Sequence, residues 1–208
     1  MTGLVAGAVD PPETGPETGG AEFDVYEEKE FGFWLYLMSD AIIFALLFAT
    51  YVVMAPNHAG GPTGKDVFDL SRTFTETMLL LCSSITFGFA SIAVRLGRPP
   101  QVLGWLAVTF VLGAGFVALE ISEFTGMYVQ GAGPQRSGFL SAFFTLVGTH
   151  GLHVSMGLTW ILILSTQVLL KGLTEPVVSR LFRLGLFWHF LDIVWIGIFS
   201  IVYLPGVL

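Results

Sequence analysis

Five apolar stretches, about residues 31–55, 73–94, 102–123, 139–170 and 184–206, are each long enough to cross a bilayer. Roughly 20 residues at about 1.5 Å rise span a hydrocarbon core some 30 Å thick. No water is present there, so every backbone N–H and C=O must be satisfied inside the protein, which a helix does within its own segment. The predicted fold class is therefore an all-α integral membrane protein with five transmembrane helices. The fourth stretch has no Asp, Glu, Lys or Arg over 139–170. As one helix it is about 48 Å long and must tilt or project from the membrane.

Charge divides the chain into two parts. Only 12% of residues are charged, against roughly a quarter in soluble domains. The formal net charge of −7 is held entirely by residues 1–30, which carry eight acids and the single base Lys29. That segment, with Pro11-Pro12, Gly15-Pro16 and Gly19-Gly20, has too little apolar surface to fold alone. It is expected to be a disordered, retained tail, since its acidity is the reverse of a signal peptide's basic start. Residues 31–208 form the expected membrane domain, with acids and bases in balance. Nothing in this pattern suits nucleic acid. Cys82 stands alone, which excludes an intrachain disulfide and a cysteine-based zinc site.

Lys and Arg accumulate in cytoplasmic loops. With the N-terminus inside, Lys29, Arg95, Arg98, Lys171, Arg180 and Arg183 fall on the inner side and only Lys65, Arg72 and Arg136 on the outer. The prediction is N-terminus in, C-terminus out. Trp34 and Tyr36 then suit an inner aromatic belt, and Tyr51, Tyr128 and Tyr203 an outer one.

Against this apolar background, Asp40, Glu76, Glu120, Glu123, His150, His153, His189 and Asp192 demand explanation. A charged side chain at a helix centre costs roughly 2.5–3.5 kcal/mol on insertion scales, so such residues face protein or an aqueous path. Arg72 and Glu76, at i and i+4, can pair on one helix face, whereas Glu120 and Glu123, at i and i+3, repel if both are ionised. His150 and His153, like His189 and Asp192, are also at i, i+3. Paired Glu-x-x-His motifs build di-iron sites in bundles, but no matching set accompanies these histidines. The expectation is hydrogen bonding between helices, with His189 and Asp192 as a tether completed by Asp40 or His153, and no catalytic, cofactor or metal site. Ala41, Ala45 and Ala49 recur every four residues and give a smooth face for close helix approach, and Gly148, Gly151 and Ser155 do the same in the fourth span.

Five motifs lie in a definite order: Gly32-Phe33-Trp34-Leu35-Tyr36-Leu37-Met38-Ser39-Asp40, Leu112-Gly113-Ala114-Gly115-Phe116, Glu120-Ile121-Ser122-Glu123-Phe124, Val147-Gly148-Thr149-His150-Gly151-Leu152-His153-Val154 and Phe187-Trp188-His189-Phe190-Leu191-Asp192-Ile193-Val194-Trp195. Over about residues 26–208 the sequence resembles subunit III of the haem-copper respiratory oxidases. Gly60-Gly61-Pro62-Thr63-Gly64-Lys65-Asp66 and the stretch from Gly133 to Phe144 are similar to the cytochrome o ubiquinol oxidase branch. Asp40 stands where the cytochrome c oxidase branch typically has Glu.

The resemblance implies a non-catalytic subunit that binds no cofactor itself. Haem and copper are expected in a partner subunit I, and ubiquinol as the substrate of the complex. Subunit II, a small subunit IV and membrane phospholipids are the further expected partners, in a bacterial cytoplasmic (inner) membrane. The complex would oxidise quinol, reduce oxygen to water and translocate protons. Two alternatives stay open: subunit III of a five-span cytochrome c oxidase, and a small transporter or channel lined by the buried acids. A stand-alone metalloenzyme is disfavoured by the missing ligand sets. Against a transporter stand the absence of repeat symmetry and of a mid-span proline.

Overall fold

The computed structural model describes residues 18–207, with side chains described from 31 to 206 apart from Asp66. The first 17 residues of the expected tail lie outside the described residues. Helix α1 (Thr18–Met54) is followed by a short α2 (Gly64–Val67), then α3 (Leu70–Arg95), α4 (Pro99–Val129), α5 (Gly138–Lys171) and α6 (Glu175–Ile198), a π turn over Phe199–Tyr203 and a final α7 (Leu204–Val207). No strand occurs among the described residues. Five segments are long and apolar enough to cross a membrane: Phe31–Met54, Leu70–Arg95, Pro99–Val129, Gly138–Lys171 and Glu175–Gly206.

Local chemistry sets the helix ends. Asp69 caps α3 by accepting from the backbone N–H groups of Ser71 (3.0 Å) and Arg72 (3.4 Å), and Ser137 caps α5 by accepting from Leu140 (3.2 Å). Prolines occupy the first turns of α4 and α6, where the missing N–H is no loss. Gly172, at φ 69°, turns the chain sharply after α5.

Three boundaries differ from expectation. Helix α1 begins at Thr18, so residues 18–30 of the expected tail are helical. Helix α4 continues past Glu123 to Val129, because the neutral run Phe124–Val129 has no proline and its one glycine, Gly126, costs only about 1 kcal/mol. Helix α6 starts at Glu175, well before 184; Arg180 and Arg183 interrupt the apolar run but not the helix. At the far end Pro205 has no N–H and its ring crowds the carbonyl four residues back. The ladder widens just before it, with the Leu204 N–H reaching the Phe199 carbonyl five residues away.

The chain divides between Tyr36 and Leu37 into two units. In the first, the rings of Phe33 and Tyr36 lie 5.9 Å apart. In the second, α3 packs on α4, α4 on α5, α5 on α6 and α6 back on α3, closing a ring of four helices. Its core is aromatic: Phe87, Phe116, Phe143, Phe187, Trp188, Trp195 and Tyr203 are fully buried. Gly113 and Gly157 make room for Trp188; a Cβ at Gly113 would stand 2.9 Å from the indole ring, and one at Gly157 would stand 3.0 Å away.

From Leu37 onward α1 meets this ring through long side chains. The Phe44 ring lies 5.3 Å from His153 of α5 and 6.3 Å from Phe190 of α6, and Phe48 reaches Gly197 of α6. The alanine stripe does not behave as expected. Ala45 and Ala49 are exposed, so no helix among the described residues covers them. Tyr51 and Tyr203, expected in the outer belt, are buried instead, while Tyr128 is exposed.

Candidate functional site

The buried ionisable residues form two layers. The first joins the start of α3, the end of α4 and the end of α6. Arg72 donates from Nη2 to the Leu119 carbonyl of α4 at 2.7 Å and holds Nε 3.7 Å from Glu76 Oε1 on its own helix. Glu76 is fully buried, and Glu120 and Glu123 nearly so. The Tyr203 hydroxyl donates to Glu123 Oε2 at 3.1 Å. The Glu120 carboxylate lies against the backbone of Gly151, in the space a Cβ there would take. Three carboxyls thus converge on one guanidinium and one phenol, so the arrangement demands protons or partial charges to offset them. The i, i+4 pairing of Arg72 with Glu76 forms as the spacing suggests. Tyr203 was not legible as the partner of Glu123, because an aromatic near a span end reads equally as a belt residue.

The second layer sits at mid-span. His153 Nδ1 donates to the Thr149 carbonyl at 2.7 Å, which fixes its hydrogen and leaves Nε2 facing Asp40 Oδ2 at 3.6 Å. Asp40 therefore pairs with His153, and neither completes the His189–Asp192 set. That set is completed by Ser84 of α3, whose Oγ lies 2.7 Å from His189 Nδ1, while Asp192 Oδ2 lies 3.7 Å from the same nitrogen. One residue earlier on each helix, Trp188 Nε1 donates to Ser83 Oγ at 3.1 Å. Both contacts join residues 105 apart in sequence, so Ser83-Ser84 and Trp188-His189 are matched pairs. Neither serine had a spacing signal, since a lone hydroxyl in an apolar run usually bonds its own helix. A third tie follows about two turns away, Trp195 Nε1 to Thr77 Oγ1 at 3.0 Å.

His150 is fully buried and stacks on Trp195, with centroids 5.3 Å apart, and the edges of Phe116 and Phe44 flank it. His150 and His153 thus diverge, one into the aromatic core and the other towards α1. His189 departs from the burial expected of it: its side chain is 47% exposed, because it lies on the outward strip of α6.

Chemically, the two layers stitch the bundle pair by pair: Arg72–Leu119 and Thr86–Thr109 (2.8 Å) hold α3 to α4, Ser83, Ser84 and Thr77 hold α3 to α6, Tyr203–Glu123 holds the chain's end to α4, and Asp40–His153 holds α1 to α5. Each hydrogen bond among these is worth about 0.6–2 kcal/mol within a membrane, while Asp40 and His153, 3.6 Å apart, are in electrostatic contact only.

Comparison with known proteins places this architecture. Residues 13–207 match the family model described as Cytochrome c oxidase subunit III. The chain is 58% identical over 177 residues to the cytochrome bo(3) ubiquinol oxidase subunit 3 of Pseudomonas putida, covering 85% of this chain and 86% of that one. It is 54% identical over 178 residues to the protein of the same name from Pseudomonas aeruginosa (86% and 85% covered), and 42% identical over 180 residues to the cytochrome c oxidase subunit 3 of Bacillus sp. (strain PS3) (86% and 87% covered). With a family model spanning nearly its whole length and relatives at these identities, the chain belongs to the cytochrome c oxidase subunit III family, the third subunits of haem-copper oxidases.

Proposed function

We propose that this chain is the non-catalytic subunit III of a cytochrome o ubiquinol oxidase in a bacterial cytoplasmic membrane. The observation that carries the reading is the 58% identity, over 85% of the chain, to a subunit so named. In this reading haem and copper reside in subunit I, ubiquinol is oxidised by the complex, and subunit II, a small subunit IV and phospholipids are neighbours. The chain contributes a rigid five-span body. Its buried ionisable residues fix which helices meet, and the termini lie in and out as the Lys/Arg asymmetry directs.

The 42% identity to a cytochrome c oxidase subunit 3 supports the alternative donor. One experiment separates them: purify the complex through a tag on this chain, record its visible spectrum and assay oxygen uptake. Haem bands with ubiquinol-driven uptake are expected. Uptake driven only by reduced cytochrome c would replace the donor, and a preparation without haem would overturn the assignment.

A further inference from the structure

A cavity of about 320 Å³ lies where α1 ends, with Tyr51, Ala55, His58, Phe139, Ile201 and Pro205 among its walls. That is the lower end of the roughly 300–1,000 Å³ usual for small-molecule sites. The walls are tied to the helices. The Phe139 N–H donates to the Asn57 carbonyl at 3.2 Å, which joins the loop after α1 to the start of α5. Gly64 and Gly206, which also line the cavity, let α2 press against α7: a Cβ on Gly64 would stand 2.7 Å from the Gly206 carbonyl oxygen. The cavity is thus built into the fold. It stands at the level where the spans Phe31–Met54 and Glu175–Gly206 end and Gly138–Lys171 begins, so it borders the membrane interface.

Two polar groups of the wall have nothing to bond. Tyr51 is only 4% exposed, yet its hydroxyl makes no hydrogen bond among the described residues. Buried tyrosines normally find a partner, as Tyr203 does in Glu123. His58 makes no side-chain hydrogen bond among the described residues either; its Nδ1 is enclosed, which leaves Nε2 as the nitrogen that the cavity can reach. The other walls are chiefly apolar and aromatic. The rings of Tyr51 and His58 lie 6.0 and 4.9 Å from that of Phe139. Lys65 brings a positive charge to the lining, and no acid joins it among the described residues. Ile201, 42% exposed, is at once a wall and part of the outer surface, and so offers an apolar way out.

We propose that this cavity holds the head ring of a quinol or quinone drawn from the membrane, with the Tyr51 hydroxyl and His58 Nε2 hydrogen-bonded to its ring oxygens and the isoprenoid tail leaving past Ile201. The inference rests on the ubiquinol oxidase reading and adds a place on this chain where the substrate is held; no electron transfer occurs there. A planar ring suits the aromatic walls, and its two oxygens suit two neutral hydrogen-bonding groups. A phosphodiester head group is held best by several charged donors, and Lys65 is the single cation of the lining.

The test irradiates the intact complex with an azido-substituted short-chain ubiquinone and maps the labelled peptides. Labelling of this chain within residues 51–65 or at the start of α5, displaced by excess ubiquinol, is expected. Ala55→Trp, which fills the cavity, should reduce that labelling by about fivefold or more at unchanged haem content. Tyr51→Phe, which keeps the ring and removes the hydroxyl, should reduce it by about threefold or more, and decides the matter alone where Ala55→Trp fails to assemble. Labelling confined to other subunits, or labelling of this chain that neither variant diminishes, overturns the site and leaves the oxidase reading intact. Displacement by phosphatidylglycerol but not by ubiquinol overturns the quinoid occupant and makes the cavity a lipid site. A chain that never co-purifies with haem, or a complex driven only by reduced cytochrome c, overturns the underlying reading itself.

Discussion

At the scale of single residues, space and polarity act together around Glu120. Its carboxylate occupies the place where a Cβ on residue 151 would stand, so glycine there is a packing requirement. Gly151→Ala should push the carboxylate out of its buried site and lower stability by about 1–3 kcal/mol, the usual cost of overpacking. Gly148→Ala, three residues away, would meet only Phe124 at an ordinary 3.6 Å and should be tolerated. Thermal inactivation of the solubilised complex separates the two, and equal midpoints would show that Glu120 moves aside freely. The same layer makes a second prediction. Tyr203→Phe keeps the packed ring and removes only the hydroxyl that Glu123 accepts from. Leaving that carboxylate short of a donor should cost about 1–3 kcal/mol. An unchanged midpoint would mean that the bond contributes nothing net.

At the scale of elements, the five spans were legible because length and hydropathy state them directly, and the caps at Asp69 and Ser137 are where hydroxyl or carboxylate residues precede an apolar run. The pairing of polar residues between helices was not legible. Depth along each span can be estimated from sequence, but rotation about the axis cannot, and rotation decides that Asp40 meets His153 while Ser84 meets His189. The alanine stripe failed for a related reason: small residues announce close approach without saying whether the approaching helix is in the same chain. The Asp40–His153 contact is a polar tie between α1 and the four-helix ring, so it should be measurable as a coupling. A double-mutant cycle with Asp40→Ala and His153→Ala, read by unfolding in mixed micelles, is expected to give about 0.6–2 kcal/mol. Additivity within about 0.3–0.5 kcal/mol would mean that this contact contributes no coupling and that packing such as that of Phe44 holds α1.

At the scale of the whole molecule, the expected orientation rests on where the cations lie along the chain. Of the three on the expected outer side, Arg72 is drawn into the bundle by the Leu119 carbonyl and Glu76. The six on the opposite side are Lys29, Arg95, Arg98, Lys171, Arg180 and Arg183, and Arg95 and Lys171 fall in the last turns of α3 and α5. Cations there also complement the helix C-terminal dipoles, so two independent effects favour the same ends. The N-in, C-out arrangement remains a proposal that rests on this asymmetry. Single cysteines at Leu96 and Gln130 test it in a Cys82→Ala background, which removes the one native thiol. Both positions are exposed at helix ends, in the α3–α4 and α4–α5 connections respectively, with ordinary negative φ values of −82° and −78°. An impermeant maleimide added to intact cells should label Gln130→Cys, and it should reach Leu96→Cys only after the membrane is opened. The reverse pattern would invert the molecule while keeping its five spans. Labelling of both from the same side would remove α4 as a span and with it the alternation on which the fold depends.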